Sequence, residues 1–456
     1  MALIVRWKAS PVSSLLVALL CLYNDAGAQR GRGLPPPDLP YLGFNTKTSY
    51  FFAERASEPT PITTPGCRPA FFWFYGRHGA RYPYEHVINA MQEILPELQE
   101  ETLLQHARGQ GALSPDALMA LRRWSMPYGP QDALEHAPVG FTEVMTVGKR
   151  YGIRLPEIFR NATSQNILVS VTDTNRAADS GVAFLQGVYG QNHANDFVIL
   201  RGHEDADLIR WPYWCRNYQI IYNRNPEVLT QRFRFTRSPE MRRLIYRVQR
   251  RMGLTRALSF DEMLLMYDVC RFDVAINPFI SQPARAWCPL FHREDLEILE
   301  YLDDIQRYWK HGYGFPKQFQ PSCVLIRNFA EHLRALRNGN SPVRARIMFS
   351  HQGEMLKLYA ALGLFRDPQP FLATNYRANR NRRFNATKIM PFAANFALLV
   401  ERCGPGRLNI RAFVNELEVR IPRLDAANGD FFAAFRNEIQ NCDLQDFCQN
   451  SGLGQN

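Results

Sequence analysis

Three short stretches, far apart in the chain, carry residues that could work on one anion: Arg77-His78-Gly79-Ala80-Arg81-Tyr82-Pro83, Thr174-Asn175-Arg176, and Ser350-His351. Together they supply three arginines and two histidines. Phosphoryl transfer needs a nucleophile, cations for the charge that spreads over the equatorial oxygens, and a proton for the departing oxygen. A neutral imidazole is nucleophilic, so His78 is the candidate nucleophile, and Arg77, Arg81 and Arg176 are the candidate phosphate clamp. This chemistry asks for no metal and no cofactor. Gly79 would let the loop approach the anion without a side chain, and Pro83 would stiffen its exit. Asp173 and Asp179 flank Arg176 and could cap the following helix, or pin Arg176 and reduce the clamp to two arginines. Taken singly, His203, His311 and Arg210 read as surface ion-pair members.

The elements around these stretches predict how they meet. Pro69 to Tyr75 form an apolar, aromatic run ending at Gly76, too short for a typical helix and rich in strand formers, hence a buried strand. Asn166 to Val171 and Val343 to Phe349 read as two more strands, and each of the three ends at one of the polar stretches. In an open α/β sheet, carboxyl ends of strands converge on one crevice. Helices are predicted over 84–108, with a kink or restart at Pro96, over 141–151, through Val182 to Val188, and after His351 to Gly363. Ile389 to Val400 and Leu408 to Val419 are further sheet candidates. Residues 191–335 change character: paired charges, aromatics and helix-period segments such as Met241–Val248, Phe260–Tyr267 and Glu294–Trp309 suggest a mainly helical cap or insertion. The domains expected are therefore an α/β domain from 41–190 and 336–456, with the cap between. Residues 30–40, rich in arginine, glycine and proline, read as an extended arm.

With 456 residues, 46% hydrophobic and 21% charged, the chain has the composition of a folded protein, and disordered, collagenous and coiled-coil classes are excluded. Its formal charge of +11 rests on arginine, since only seven of the 54 basic residues are lysines. The charge alone fits nucleic acid, anionic glycans or a phosphorylated metabolite equally well. Arg6 and Lys8 precede a short apolar run, Leu15 to Leu22, followed by Ala26-Gly27-Ala28, the pattern of a secretory signal peptide over 1–28. No later segment is apolar enough for a bilayer span, so stable membrane insertion is not expected. Eight cysteines remain after the leader: Cys67, Cys215, Cys270, Cys288, Cys323, Cys403, Cys442 and Cys448, an even set that fits four disulfides in an exported chain. Sequence separation suggests Cys270 with Cys288 and Cys442 with Cys448. The sequons at Asn161 and Asn385 are candidate glycosylation sites.

At this point the chain resembles the histidine acid phosphatases, and more closely their multiple inositol polyphosphate phosphatase branch. Arg77 to Pro83 matches the RHGxRxP signature at every specified residue, Arg176 and Ser180 resemble the downstream arginine and helix start, and His351 resembles the second active-site histidine. The closer likeness rests on Leu258-Ser259-Phe260 through Cys270-Arg271-Phe272, Trp287 to Phe291, Glu300 to Asp304, Tyr308 to Gly314, Pro391 to Asn395 and Asn415-Glu416. The resemblance implies a mostly parallel sheet flanked by helices with a smaller helical cap domain. It also implies a secreted phosphomonoesterase that hydrolyses inositol polyphosphates through a phosphohistidine on His78, with no cofactor and a small anionic phosphorylated substrate as partner. It further implies a Cys67–Cys403 bridge, after which Cys215 with Cys323 follows by elimination. Several substrate phosphates need additional cations; Lys310, Arg377, Arg380 and Arg383 are candidates, the last three alternatively a solvated loop.

One position departs from the pattern. The branch carries His-Ala-Glu at the second histidine, the glutamate protonating the leaving alcohol, whereas here His351-Gln352-Gly353-Glu354 places glycine at that position. Glu354 is the candidate substitute acid, although one helical step turns a side chain by about 100°. A positioned acid is worth about 10²–10⁴-fold, so the alternative is a weak or inactive inositol phosphate binder. A basic glycan- or nucleic-acid-binding protein would need dispersed basic patches, and no interleaved aromatic and basic array favours nucleic acid. A phosphoglycerate mutase would not need the leader and cysteines. Nothing in the sequence fixes an oligomeric state.

Overall fold

Phe71 to Tyr75 are buried on both faces of one strand, which is why their run is continuously apolar rather than alternating. The computed structural model describes residues 43–53, 62–202, 206–220, 226–280, 285–339 and 341–449. The expected leader (1–28), the arm at 30–40 and His203 lie outside the described residues.

The strands are β1 (Arg68–Arg77), β2 (Ile167–Val171), β3 (Ile199–Arg201), β4 (Ala345–Ser350), β5 (Asn395–Arg402), β6 (Leu408–Val414) and β7 (Leu417–Val419). They form one seven-stranded sheet in the order β3-β2-β4-β1-β5-β6-β7. The helices that bear on the site are α1 (Glu85–Ala107), α2 (Pro138–Arg154), α3 (Asn175–Tyr189), α4 (Phe260–Ile276), α5 (Arg293–His311), α6 (Cys323–Arg337) and α7 (Gln352–Leu362). Phe72 and Phe74 pack against Tyr151 of α2 and Phe184 of α3. On the opposite face, Phe71 and Trp73 pack against Phe329 of α6. Of the kink or restart expected at Pro96, the restart does not occur: helix α1 continues through it, with Leu95 and Leu98 on either side fully packed in the core.

A mostly parallel sheet is corrected to one that is parallel from β3 to β1 and antiparallel from β1 to β7. The connections account for this. Asn415 and Glu416, with φ of 49° and 67°, form the tight turn between β6 and β7. Residues 403–407, with Gly404 and Gly406 at positive φ, join β5 to β6 and are too few for a parallel crossover. Between β3 and β4 the described residues form helices and turns and no strand. β3 itself lies within the segment read as the start of the cap, yet pairs with β2.

Four disulfides join the described cysteines. Cys67 pairs with Cys403 and Cys270 with Cys288, as expected. The expected Cys442–Cys448 and Cys215–Cys323 bridges are corrected to Cys323–Cys442 and Cys215–Cys448. The C-terminal segment lies across the helical region and is held at two places. Arg327 of α6 donates to the Cys442 carbonyl at 2.7 Å, and Asn217 donates to the Phe447 carbonyl at 2.7 Å. The helix Leu444–Gln449 sets the two cysteines against different neighbours, which closeness in sequence does not reveal.

The two sequons also part company. Asn161 is exposed. Asn385 is buried, its side-chain amide donating to Glu300 Oε2 at 3.1 Å and its side-chain oxygen accepting from the Lys388 N–H. A glycan there would have to displace that network, so the expectation for Asn385 is corrected by burial.

Candidate active site

Strand register brings the two histidines together. β1 and β4 are parallel with Arg77 opposite Ser350, so the residues that follow, His78 and His351, emerge side by side at the carboxyl end of the sheet. Their ring centroids are 5.4 Å apart. β2 ends beside β4 with Val171 opposite Phe349, and the chain enters α3 at Asn175, which brings Arg176 to the same edge. Helices α3 and α7 both start here, so their N-terminal amides lie at this edge, a favourable place for an anion.

His78 is oriented by its own loop. Its Nδ1 lies 2.8 Å from the Gly79 carbonyl, which can only accept, so Nδ1 carries the proton and Nε2 keeps the lone pair. Burial, followed by the charges of Arg77, Arg176, His351 and Arg81, holds the imidazole well below its ordinary pKa and therefore neutral. The next two peptides are fixed as well: Gly79 N–H donates to Ser180 Oγ at 3.2 Å, and Ala80 N–H donates to Glu143 Oε2 at 2.9 Å. The other oxygen of Glu143 accepts from Ser49 Oγ and from the Tyr50 N–H, so one buried carboxylate on α2 ties the loop to the 43–53 segment. Nothing in the sequence around Glu143 distinguishes it from a helix-surface acid; only its burial does.

Packing also requires glycine at position 79. A Cβ there would fall 2.1 Å from the Gly140 carbonyl oxygen, so α2 can approach the loop this closely only over a glycine.

The arginines are positioned without being neutralised. Arg77 Nη1 donates to the carbonyls of Thr46 at 2.8 Å and Met390 at 3.0 Å, its guanidinium lies over the Phe392 ring, and its buried Nε has no partner among the described residues. Arg81 donates to the Tyr82 carbonyl and lies over Tyr84. Arg176 also keeps a buried, unpartnered Nε. Neither aspartate pins it: Asp173 pairs with Arg201 at 2.9 Å, and Asp179 lies 3.7 Å from His136 Nδ1. His351 Nε2 is 3.2 Å from Thr172 Oγ1, and burial with Arg176, Arg210, Arg81 and Arg77 keeps its ring neutral too. Arg210, read as a surface residue, stacks on Tyr213 and holds the Asp173 carbonyl beside this cluster.

Two more cations join the cluster that sequence reasoning missed. Lys47 is buried, its Nζ 3.4 Å from Thr46 Oγ1 and over the Phe272 ring. Arg307 of α5 acts electrostatically on Lys47, Arg77 and Arg81, and its buried Nε has no partner among the described residues. Lys310, one turn on, is half-buried, and burial with Arg307 and Lys357 lowers its pKa. Of the other outer candidates, Arg380 is exposed and faces Glu297 at 3.4 Å, and Arg377 and Arg383 are exposed on the same loop. None of the three is among the principal charges acting on His78 or His351.

Glu354 is buried, with its Oε2 unpartnered, and burial raises its pKa. It acts on Tyr75, Tyr213, Tyr218 and Lys357, and is not among the principal groups acting on either site histidine. Arg210 acts on it in turn, and Tyr213, on which Glu354 acts, has its ring 6.3 Å from that of His351. Beside Gly353 lies His311, whose ring would be 3.1 Å from a Cβ on the glycine.

With the geometry in place, comparison with known proteins adds the lineage. The family model described as histidine phosphatase superfamily (branch 2) matches residues 76–415. A similar curated protein is multiple inositol polyphosphate phosphatase 1 of Drosophila melanogaster, 27% identical over 392 residues, covering 83% of this chain and 80% of that one. The phytase of D. castellii has a similar fold, with a TM-score of 0.64 at 15% identity, covering 91% of this chain and 86% of that one. The multiple inositol polyphosphate phosphatase of Bifidobacterium longum, solved with inositol hexasulfate, is similar at a TM-score of 0.56 and 16% identity, covering 84% of this chain and 92% of that one.

Proposed function

The chain belongs to the histidine phosphatase superfamily (branch 2), and from that premise we propose that it is an exported phosphomonoesterase that removes phosphate from inositol polyphosphates through a phosphohistidine at His78. The observation that carries the reading is the state of His78: neutral, with Nδ1 bound to the Gly79 carbonyl, Nε2 unprotonated, and Arg77, Arg176 and Arg81 among the charges acting on it, the buried Nε of Arg77 and of Arg176 having no partner among the described residues. The names of the relatives and the inositol hexasulfate bound to the Bifidobacterium longum enzyme support the substrate class.

In the first step the Nε2 lone pair attacks phosphorus, the P–O ester bond breaks, and the alcohol leaves with a proton. The arginines hold the three equatorial oxygens as charge accumulates. In the second step water attacks phosphorus, the P–N bond breaks, and His78 returns with inorganic phosphate released. Thr172 fixes the His351 ring, which can donate to a phosphate oxygen only through the nitrogen that is protonated. Lys47, Arg307 and Lys310 supply positive charge beyond the reacting phosphate, which suits a ring bearing several phosphates. Four disulfides and a signal-peptide pattern support export, and among the described residues no helix is long and apolar enough to cross a membrane.

The test is phosphate release from inositol hexakisphosphate by the purified protein over about pH 3.5 to 8 without added metal, with His78→Ala alongside. The expected result is release that the substitution lowers by at least about 10³-fold, together with covalent phosphate trapped on acid quenching of the unsubstituted protein. Tight binding with neither release nor trapped phosphate would instead show a binder that retains the cradle.

A further inference from the structure

Departure of an alkoxide needs a proton, and the residue aligned with the family's acid has no side chain. Gly353 is two residues beyond His351, in the first turn of α7 at the phosphate edge. The last residue of α5 lies beside the place where a side chain would start. A Cβ on Gly353 would lie 3.1 Å from His311 Cε1, 3.2 Å from Nδ1 and 3.5 Å from Nε2. The imidazole therefore lies directly against the position where the glycine offers no side chain, and a Cβ there would push it by a few tenths of an ångström.

The imidazole is also coupled to a proton source. Lys357, one turn further along α7, places Nζ 3.2 Å from His311 Nδ1 and 3.3 Å from the Gly353 carbonyl. An ammonium has only donors, so Nδ1 accepts and Nε2 carries the hydrogen. Lys357 is enclosed by the rings of Trp211 and Tyr218, with Glu354 acting on it from its own helix. The charges around His311 are Lys357, Lys310 and Arg307, all cationic, and with burial they keep the ring neutral between turnovers. Burial brings the Lys357 ammonium down to about 8, against the pull of Glu354, so it is loaded throughout the acid range and gives up its proton more readily than an exposed lysine.

We infer that His311, loaded by Lys357, protonates the leaving alcohol at the position where Gly353 offers no side chain. The inference rests on the phosphatase reading above. As the P–O bond breaks, the leaving oxygen takes the hydrogen from His311 Nε2 while Nδ1 takes a proton from Lys357 Nζ. After the alcohol departs, water in the cleft reprotonates Nε2 and Nδ1 returns its proton to the buried Lys357 amine, which restores both starting forms. Glu354 then serves as a positioning residue that stabilises the charged form of Lys357.

The experiment compares two esters. p-Nitrophenyl phosphate releases an anion that needs no proton, whereas inositol hexakisphosphate and glycerol 2-phosphate release alkoxides. In His311→Gln and in Lys357→Met, the ratio of alkyl-ester to aryl-ester kcat should fall about 10²-fold or more. The basic limb of the alkyl-ester pH profile, expected near the Lys357 ammonium's value of about 8, should be absent from Lys357→Met. Gly353→Glu combined with His311→Ala, which frees the volume, should recover the ratio. The aryl-ester rate reports that each variant is folded with a working His78. An unchanged ratio in both single variants overturns the inference and leaves the phosphatase reading standing, as does a ratio that falls in Glu354→Gln but not in them. Absence of activity on every ester in the unsubstituted protein overturns both.

Discussion

Gly79 and Gly140 interlock: a Cβ on Gly79 would sit 2.1 Å from the Gly140 carbonyl oxygen, and one on Gly140 would sit 2.2 Å from the Ala80 carbonyl oxygen. This contact sets how closely α2 approaches the loop that carries His78. Because α2 also brings Glu143 to the Ala80 N–H, the position of His78 depends on a backbone-to-backbone contact between two segments some sixty residues apart.

Gly79→Ala should therefore cost about 1–3 kcal/mol of stability. It should also lower kcat about 10²-fold, as expected for a reacting group displaced by roughly 1 Å. Denaturant titration and steady-state phosphate release check the two parts. Native stability with full activity would show that the loop does not need this contact.

On the proposed reading Arg307 and Lys47 serve phosphates other than the reacting one, so replacing Arg307 should affect substrates with several phosphates more than those with one. Arg307→Met should raise KM for inositol hexakisphosphate about 10-fold or more while changing KM for p-nitrophenyl phosphate less than about threefold. Raising the ionic strength should narrow the difference, because exposed parts of a charged cleft are screened. Equal effects on both substrates would place Arg307 at the central phosphate instead.

Acid should weaken the fold through histidines buried in the neutral form. His332 of α6 stacks on Phe71 with centroids 5.0 Å apart, and burial, followed by Arg346, lowers its pKa from 6.5 to about 4. As the pH falls below 6.5 the unfolded chain binds this proton before the folded one does. The stabilisation is thus complete above that value and is lost progressively as the pH falls through about 4. His332→Phe keeps the stack and removes the titration. Its stability should fall less between pH 7 and 4.5 than that of the unsubstituted protein, by about 1–2 kcal/mol, as measured by denaturant unfolding. An identical pH dependence would show that His332 is charged in the fold.

The bridges Cys323–Cys442 and Cys215–Cys448 make a direct chemical prediction. A non-reducing peptide map should yield these two linked pairs and no Cys442–Cys448 loop. Replacing Cys323 and Cys442 together by serine should cost about 2–4 kcal/mol. It should also expose the C-terminal segment to proteolysis before the core, because one of its two covalent attachments is gone.

Several of these relationships were legible in the sequence, and the reason is local. The run from Pro69 to Tyr75 had to be a strand because its side chains can be buried on both faces only in a covered sheet. The polar stretches at 77–83, 174–176 and 350–351 had to be strand ends because they follow such runs directly. Burial and chain direction are properties of neighbouring residues, so the two histidines, the three arginines and the absence of a side chain at Gly353 could be read off. The antiparallel half was misjudged because strand direction follows from connection geometry, and the positive φ of Glu416 has no signature in an ordinary charged residue.

The sequence alone determined that two histidines and three arginines stand at the ends of buried strands. Tertiary structure alone decided which cysteines pair, that Lys47 and Arg307 join the cation cluster while Arg377, Arg380 and Arg383 stay at the surface, and that Glu354 is buried while His311 lies against Gly353. Those outcomes depend on which distant segments compete for the same volume. Competition for space is settled by packing across the whole core, and no property of a residue's sequence neighbours encodes it.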